Sequence, residues 1–144
     1  MFQKSPDERL SAWTEFRQSL NATVFPLQEL AEFWCNAPYV PYNKNVDPYN
    51  EQSWPTPWEI IIENKYDDFT KALMMAWSLK LTDKFKDSLI EIKTYTDLER
   101  HRQYNMVFID NKDVVNYHDN AVVHAENVPD SFQLGFLVEV KRPR

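Results

Sequence analysis

The stretch Ser53–Asp83, SWPTPWEIIIENKYDDFTKALMMAWSLKLTD, decides the fold. Thr56-Pro57-Trp58-Glu59 is a capping box. Threonine can accept from the backbone N–H three residues on, glutamate can reach back, and proline suits the first helical position. A short helix is therefore expected from Pro57 to about Glu63, where Asn64 and Lys65 break it. Tyr66 or Asp67 then opens a longer helix. In it Phe69, Ala72, Leu73, Ala76, Trp77 and Leu81 recur at helical spacing and turn inward. This predicts the central buried helix of the domain.

Upstream, Ser5-Pro6-Asp7-Glu8 reads as another capping box, followed by Leu10, Trp13, Phe16 or Arg17, and Leu20 at helical spacing, with Asn21 able to end the helix. A further helix is expected from Pro26, presenting Leu27, Leu30, Ala31 and Trp34 on one face and stopping before Pro38. Asn36–Trp54 reads as a long loop, stiffened by Pro38, Pro41 and Pro48 and carrying Tyr39, Tyr42 and Tyr49. Ordered loops of that length are uncommon and often functional. Downstream of Asp83 the pattern changes to strands. These are expected at Leu89–Tyr95, Tyr104–Ile109, Val114–Tyr117, Ala121–His124 and Gln133–Val140, with a hairpin turn at Asp110–Asp113. Helices first and antiparallel strands second predict a single α+β domain over residues 1-144. Its helices, within residues 1-83, pack on a sheet formed by residues 88-141.

Composition narrows the function. The chain has 144 residues, 43% apolar and 15% aromatic, enough for one domain with a sizeable core. Its net charge of −6 argues against sequence-independent binding to nucleic acid, which needs clustered cations. The one basic run is Lys141-Arg142-Pro143-Arg144. A single glycine leaves no glycine-rich phosphate loop, and a single cysteine leaves no disulfide or thiolate metal framework. No cofactor and no metal are expected. The N-terminal residues MFQKSPDERL lack the apolar region of a signal peptide, and no apolar run approaches a membrane span. A soluble protein of a reducing compartment is expected, in a virion or a host cytoplasm, with no membrane partner.

The order of these elements resembles the transglutaminase-like group of the papain-like cysteine hydrolases. In that group a loop ending in Gly-Asp-Cys leads into a buried helix, and His and Asp follow on neighbouring strands. The matching stretch is Asn64-Lys65-Tyr66-Asp67-Asp68-Phe69-Thr70-Lys71-Ala72-Leu73. The resemblance implies a transglutaminase-like fold with the cysteine position at Tyr66, the His position near Asn105 and the acid position near Asn116. A helix N-terminus stabilises thiolate, and a His must take or hold the proton. A phenol and a carboxamide do neither, so the resemblance implies a scaffold whose nucleophile is lost. A second resemblance, to small proteins of tailed bacteriophages, rests on Asp47-Pro48-Tyr49-Asn50 and Trp54–Glu59.

Other candidates have bland readings beside the sharp ones. Cys35 near a helix C-terminus is disfavoured as thiolate and reads as a buried structural thiol. His118 and His124 on separate strands have no partner at ligand spacing and read as surface residues. Asp67 and Asp68 could act as acid and base or bind a cation, but a helix N-terminus already accounts for them. The aromatic residues Tyr39, Tyr42, Tyr49, Trp54 and Trp58, with Trp34, serve either as a partner platform or as locks for the loop.

The expectation is a non-catalytic structural or interaction protein. Its partners are other protein subunits, those of a bacteriophage virion in the neck, tail or baseplate. The alternatives are a small cysteine hydrolase using Cys35 with His118 or His124, and an acidic inhibitor of a basic host protein.

Overall fold

A computed structural model describes all residues, Met1–Arg144. Four α-helices come first: α1 Pro6–Ala22, α2 Pro26–Trp34, α3 Pro57–Glu63 and α4 Asp68–Lys80. Five strands follow: β1 Ile90–Asp97, β2 Arg102–Ile109, β3 Asp113–Val115, β4 Val123–His124 and β5 Gln133–Glu139. They form one antiparallel sheet in the order β4-β3-β2-β1-β5, with short 3-10 turns at Glu51–Ser53 and Ala125–Asn127. The architecture is the α+β arrangement expected from the sequence. No helix is long and apolar enough to cross a membrane.

Helix α4 is the centre of the core. Every residue from Phe69 to Leu79 except Lys71 is buried. A helix apolar nearly all round is one covered on all sides. Here α1, α2, β1 and β2 all pack against it. Trp13 on α1 and Ser78 on α4 are fully buried, and the indole Nε1 donates to the Ser78 hydroxyl at 3.0 Å. The capping box on α3 forms as expected: Thr56 Oγ1 accepts from Glu59 N and Glu59 Oε1 accepts from Thr56 N. The one expected on α1 does not. Ser5 donates its hydroxyl to Glu8 Oε1 at 2.6 Å, so it caps no backbone N–H, and α1 runs on through Asn21 to Ala22.

Buried Arg9 was invisible to sequence reading. Its guanidinium donates to the Ile61 and Ile62 carbonyls at the end of α3, satisfying acceptors that a helix terminus leaves free. The expected strands over Val114–Tyr117 and Ala121–His124 shorten to Asp113–Val115 and Val123–His124. The chain leaves β3 at Asn116, which takes a left-handed conformation with φ 66°. Asp110 and Asn111, both at positive φ, make the β2–β3 turn.

The long loop packs down on the domain. Val40 N donates to Tyr66 O, and Tyr66 N donates to Pro38 O, a short parallel bridge. Asn43 N donates to Asp67 Oδ2 at 2.9 Å, and Trp54 Nε1 donates to Asp47 O at 2.6 Å.

Candidate functional site: a carboxylate and carboxamide cluster at the head of the central helix

Asp67 caps α4: its Oδ1 accepts from Thr70 N at 2.8 Å. A side chain turned back onto the third backbone N–H cannot leave the helix. The next residue, Asp68, is the first whose side chain is free to reach the sheet. Asp68 Oδ2 accepts from Asn105 Nδ2 at 2.9 Å and from Asn105 N at 3.2 Å. Its Oδ1 accepts from Asn116 Nδ2 at 3.4 Å, and that amide also donates to Asn105 O at 2.8 Å. Thr94 lies opposite Asn105 in the β1–β2 ladder and donates its hydroxyl to Asn105 Oδ1 at 2.7 Å. The cluster thus ties α4 to β1, β2 and the end of β3.

Asn105 and Asn116 come together as the resemblance implied, but the helix-head residue they face is Asp68. Tyr66, the position assigned to the cysteine, lies outside α4 and is 1% exposed, against Phe2 and Trp34. Burial pushes its phenol well above the ordinary value, and its hydroxyl has no hydrogen-bond partner. The bland reading of Asp68 as a helix-dipole residue is therefore incomplete. The signal was present in the sequence: of two successive aspartates at a helix start, one caps and the other is free.

The chemistry of the cluster follows from its donors. Every group bonded to Asp68 is an N–H, so the carboxylate is held as an acceptor. Asn105 is oriented at both ends, its Nδ2 on Asp68 and its Oδ1 on Thr94. A carboxamide so placed takes no proton at neutral pH. The arrangement has the positional logic of a helix-head residue facing two strand residues, and within it the Asp68 carboxylate is the group that can exchange a proton.

A cleft of about 230 Å³ opens beside the helix head, lined by Cys35, Tyr39, Asp68, Lys71 and Asp119 among others. Lys71 pairs with Asp119 at 3.9 Å. Cys35 is half-buried rather than buried as expected, because it sits just past the end of α2; its Sγ contacts Glu32 O at 3.1 Å and Asn120 Oδ1 at 2.9 Å, and bonds to no histidine. His118 stacks on Tyr117, with ring centroids 4.0 Å apart. His124 Nδ1 lies 3.7 Å from Asp113, at the far edge of the sheet. Cys35 and His118 line one small cleft between α2, α4 and the segment after β3, with no hydrogen bond between them, while His124 lies apart from both.

The aromatic group divides. Tyr39, Tyr42 and Tyr49 are 71%, 73% and 76% exposed. Trp58 is 37% exposed and meets Trp13 edge-on. Trp54 is 3% exposed, packed on Phe69 and Trp77. As a partner-surface residue Trp54 is corrected: its ring is a lock between loop and α4, because its indole N–H is already used on Asp47 O. Buried Trp34, against Phe2 and Tyr66, is likewise a packing residue.

No family model matches the sequence, and no curated protein matches it. Among solved structures the chain is similar to calcium-bound LapG of Legionella pneumophila. The TM-score is 0.70 at 17% identity, covering 94% of this chain and 76% of that one. At that identity the likeness shows the fold, which is α+β and transglutaminase-like.

Proposed function

We propose that the chain is a non-catalytic interaction protein built on a transglutaminase-like fold. The observation that supports this reading is the Asp68–Asn105–Asn116–Thr94 cluster. It fills the head of the central helix with an acceptor and its donors, all carboxylate, carboxamide or hydroxyl groups. The exposed rings of Tyr39, Tyr42 and Tyr49, on a proline-stiffened loop already pinned to the domain, support a partner surface. Flat rings with few rotors bury much area at low entropic cost. The partners we propose are other protein subunits, those of a bacteriophage particle. That setting is supported by the Asp47–Asn50 and Trp54–Glu59 stretches alone.

The test is enzymatic and covalent. The purified chain is expected to cleave neither peptide nor isopeptide substrates. Its Cys35 should alkylate no faster than a free thiol, and Cys35→Ala should leave partner binding intact. Turnover that disappears in Cys35→Ala, or in Asp68→Asn, would overturn the proposal. Mass spectrometry of purified phage particles tests the setting separately, by the presence or absence of the chain in multiple copies.

A further inference from the structure

Strand β5 is an edge of the sheet, and its outer side is bare. Val140 N donates to Ile90 O, so the residues at 140, 138 and 136 turn their backbone groups toward β1. By the alternation of an antiparallel ladder, Leu137 and Glu139 turn theirs outward. No turn or loop hydrogen bond reaches the backbone of residues 133–139. Natural edge strands are blunted by lysine, proline, brevity or a β-bulge. This one, QLGFLVE, has seven residues and carries no lysine or proline, its one interruption being the register shift near Gly135, which leaves Phe136–Glu139 regular. Its outer-face residues Leu134 and Leu137 are exposed, and on the other face Phe136 meets the exposed Tyr49 ring at 4.8 Å.

The chain's only glycine lies here. Gly135 is the extra residue where the register shifts, between Leu134 opposite Tyr95 and Phe136 opposite Thr94. Its φ is not positive, and an added Cβ would meet only Thr94 O, at an ordinary 3.8 Å. The isolated fold does not require glycine at this position. A glycine inside a strand often marks a bulge, and the register shift accounts for this one. Directly after the strand come exposed Lys141 and Arg142, neither in an ion pair, in a chain of net charge −6.

We propose that β5 accepts an extended segment of a partner protein as an added antiparallel strand. The segment alternates apolar and polar residues and carries acidic residues at its N-terminal end, where they meet Lys141 and Arg142. Main-chain bonds to Leu137 and Glu139 supply register, Leu134 and Leu137 supply apolar contact, and the two cations fix direction. A second copy of β5, paired antiparallel, would set its own Lys141-Arg142 at the opposite end and offer these two cations only Asp130, ahead of its strand, rather than an acidic run. The inference rests on the reading of this chain as an interaction protein, and adds a surface beside the tyrosine loop.

The probe is a labelled peptide of about ten residues, Asp-Glu followed by alternating Val and Thr, titrated into the full chain by fluorescence anisotropy. Saturable binding is expected. It should weaken about tenfold or more when Asp-Glu is replaced by Lys-Lys, or in the chain variant Lys141→Glu/Arg142→Glu. Leu137→Pro removes an outward N–H without touching the β1 ladder and should abolish binding. The charge-reversal variant alters exposed groups only, so the proposal stays testable if Leu137→Pro does not fold. Absence of saturable binding overturns the inference, as does binding unchanged in the charge-reversal variant. Concentration-dependent dimerisation through β5 that excludes the peptide also overturns it, in favour of a second copy. Mass spectrometry of the recovered peptide separates the two proposals. A cleaved peptide counts against the non-catalytic reading, whereas an intact and unbound peptide counts against the strand surface alone.

Discussion

Replacing Asp68 by alanine removes the only group that joins α4 to both asparagines. The cost can be worked from the cluster. Asn105 is only 9% exposed and loses the acceptor for its backbone N–H and for its Nδ2. A buried donor left without a partner costs about 1–3 kcal/mol. Asn116 loses only a long contact of 3.4 Å and keeps Asn105 O, so it adds little. The carboxylate's interaction with the α4 dipole adds about 0.3–1 kcal/mol. Asp68 is half-buried, so water replaces some of what is lost. Together the expected destabilisation is about 2–4 kcal/mol. With about 2.1 cal/mol/K of unfolding entropy per residue, that corresponds to a fall in Tm of roughly 7–13 °C. Urea denaturation with calorimetry reads it directly. Asp68→Asn, which keeps one oxygen for Asn105, should fall in between. A loss below about 0.5 kcal/mol for Asp68→Ala would refute the reasoning, since it would make Asp68 an ordinary solvated surface carboxylate.

The remaining predictions use the same measurements. Leu73→Ala, at a fully buried position on α4, should cost about 2–5 kcal/mol in urea unfolding. Tyr42→Ala and Tyr49→Ala should leave Tm nearly unchanged and impair partner binding, because both rings are exposed. Trp54→Ala, by contrast, should cost about 3–5 kcal/mol, with binding retained in whatever fraction stays folded. Tyr66→Phe should be neutral or slightly stabilising, because the hydroxyl it removes is buried without a partner. The phenol is raised above its unfolded value near 10, so the stability tied to keeping it neutral is present below that pH and lost as pH rises above it. The Tyr66→Phe protein should therefore show a shallower fall in stability above about pH 10 than the parent, read by denaturant midpoints across the alkaline limb.

The residue types along the chain determined the elements by themselves. Proline at a first helical position, a Thr-x-x-Glu box, and Asn or Asp at turns are local devices whose effect depends on a few neighbouring residues. Helix α3, helix α4 and the β2–β3 turn were readable for that reason. So was the change from period 3.6 to alternation after Asp83, and with it the α+β class. The absence of glycine loops and of a second cysteine also needed no fold to interpret.

Tertiary structure decided which side chains meet. Whether Tyr66 or Asp68 faces Asn105 turns on a small offset at the start of α4, set when Asp67 commits its carboxylate to Thr70 N and to the Asn43 loop. Arg9 is a surface residue by composition, and only the packing of α1 against the end of α3 makes it a buried donor. Trp54 and Tyr49 looked alike in sequence. One ring fell between Phe69 and Trp77 and the other outside, because exposure is a property of what lies above a residue in space. The open side of β5 was equally hidden, since which strand becomes an edge depends on sheet order, and sheet order is fixed by contacts distant in the chain.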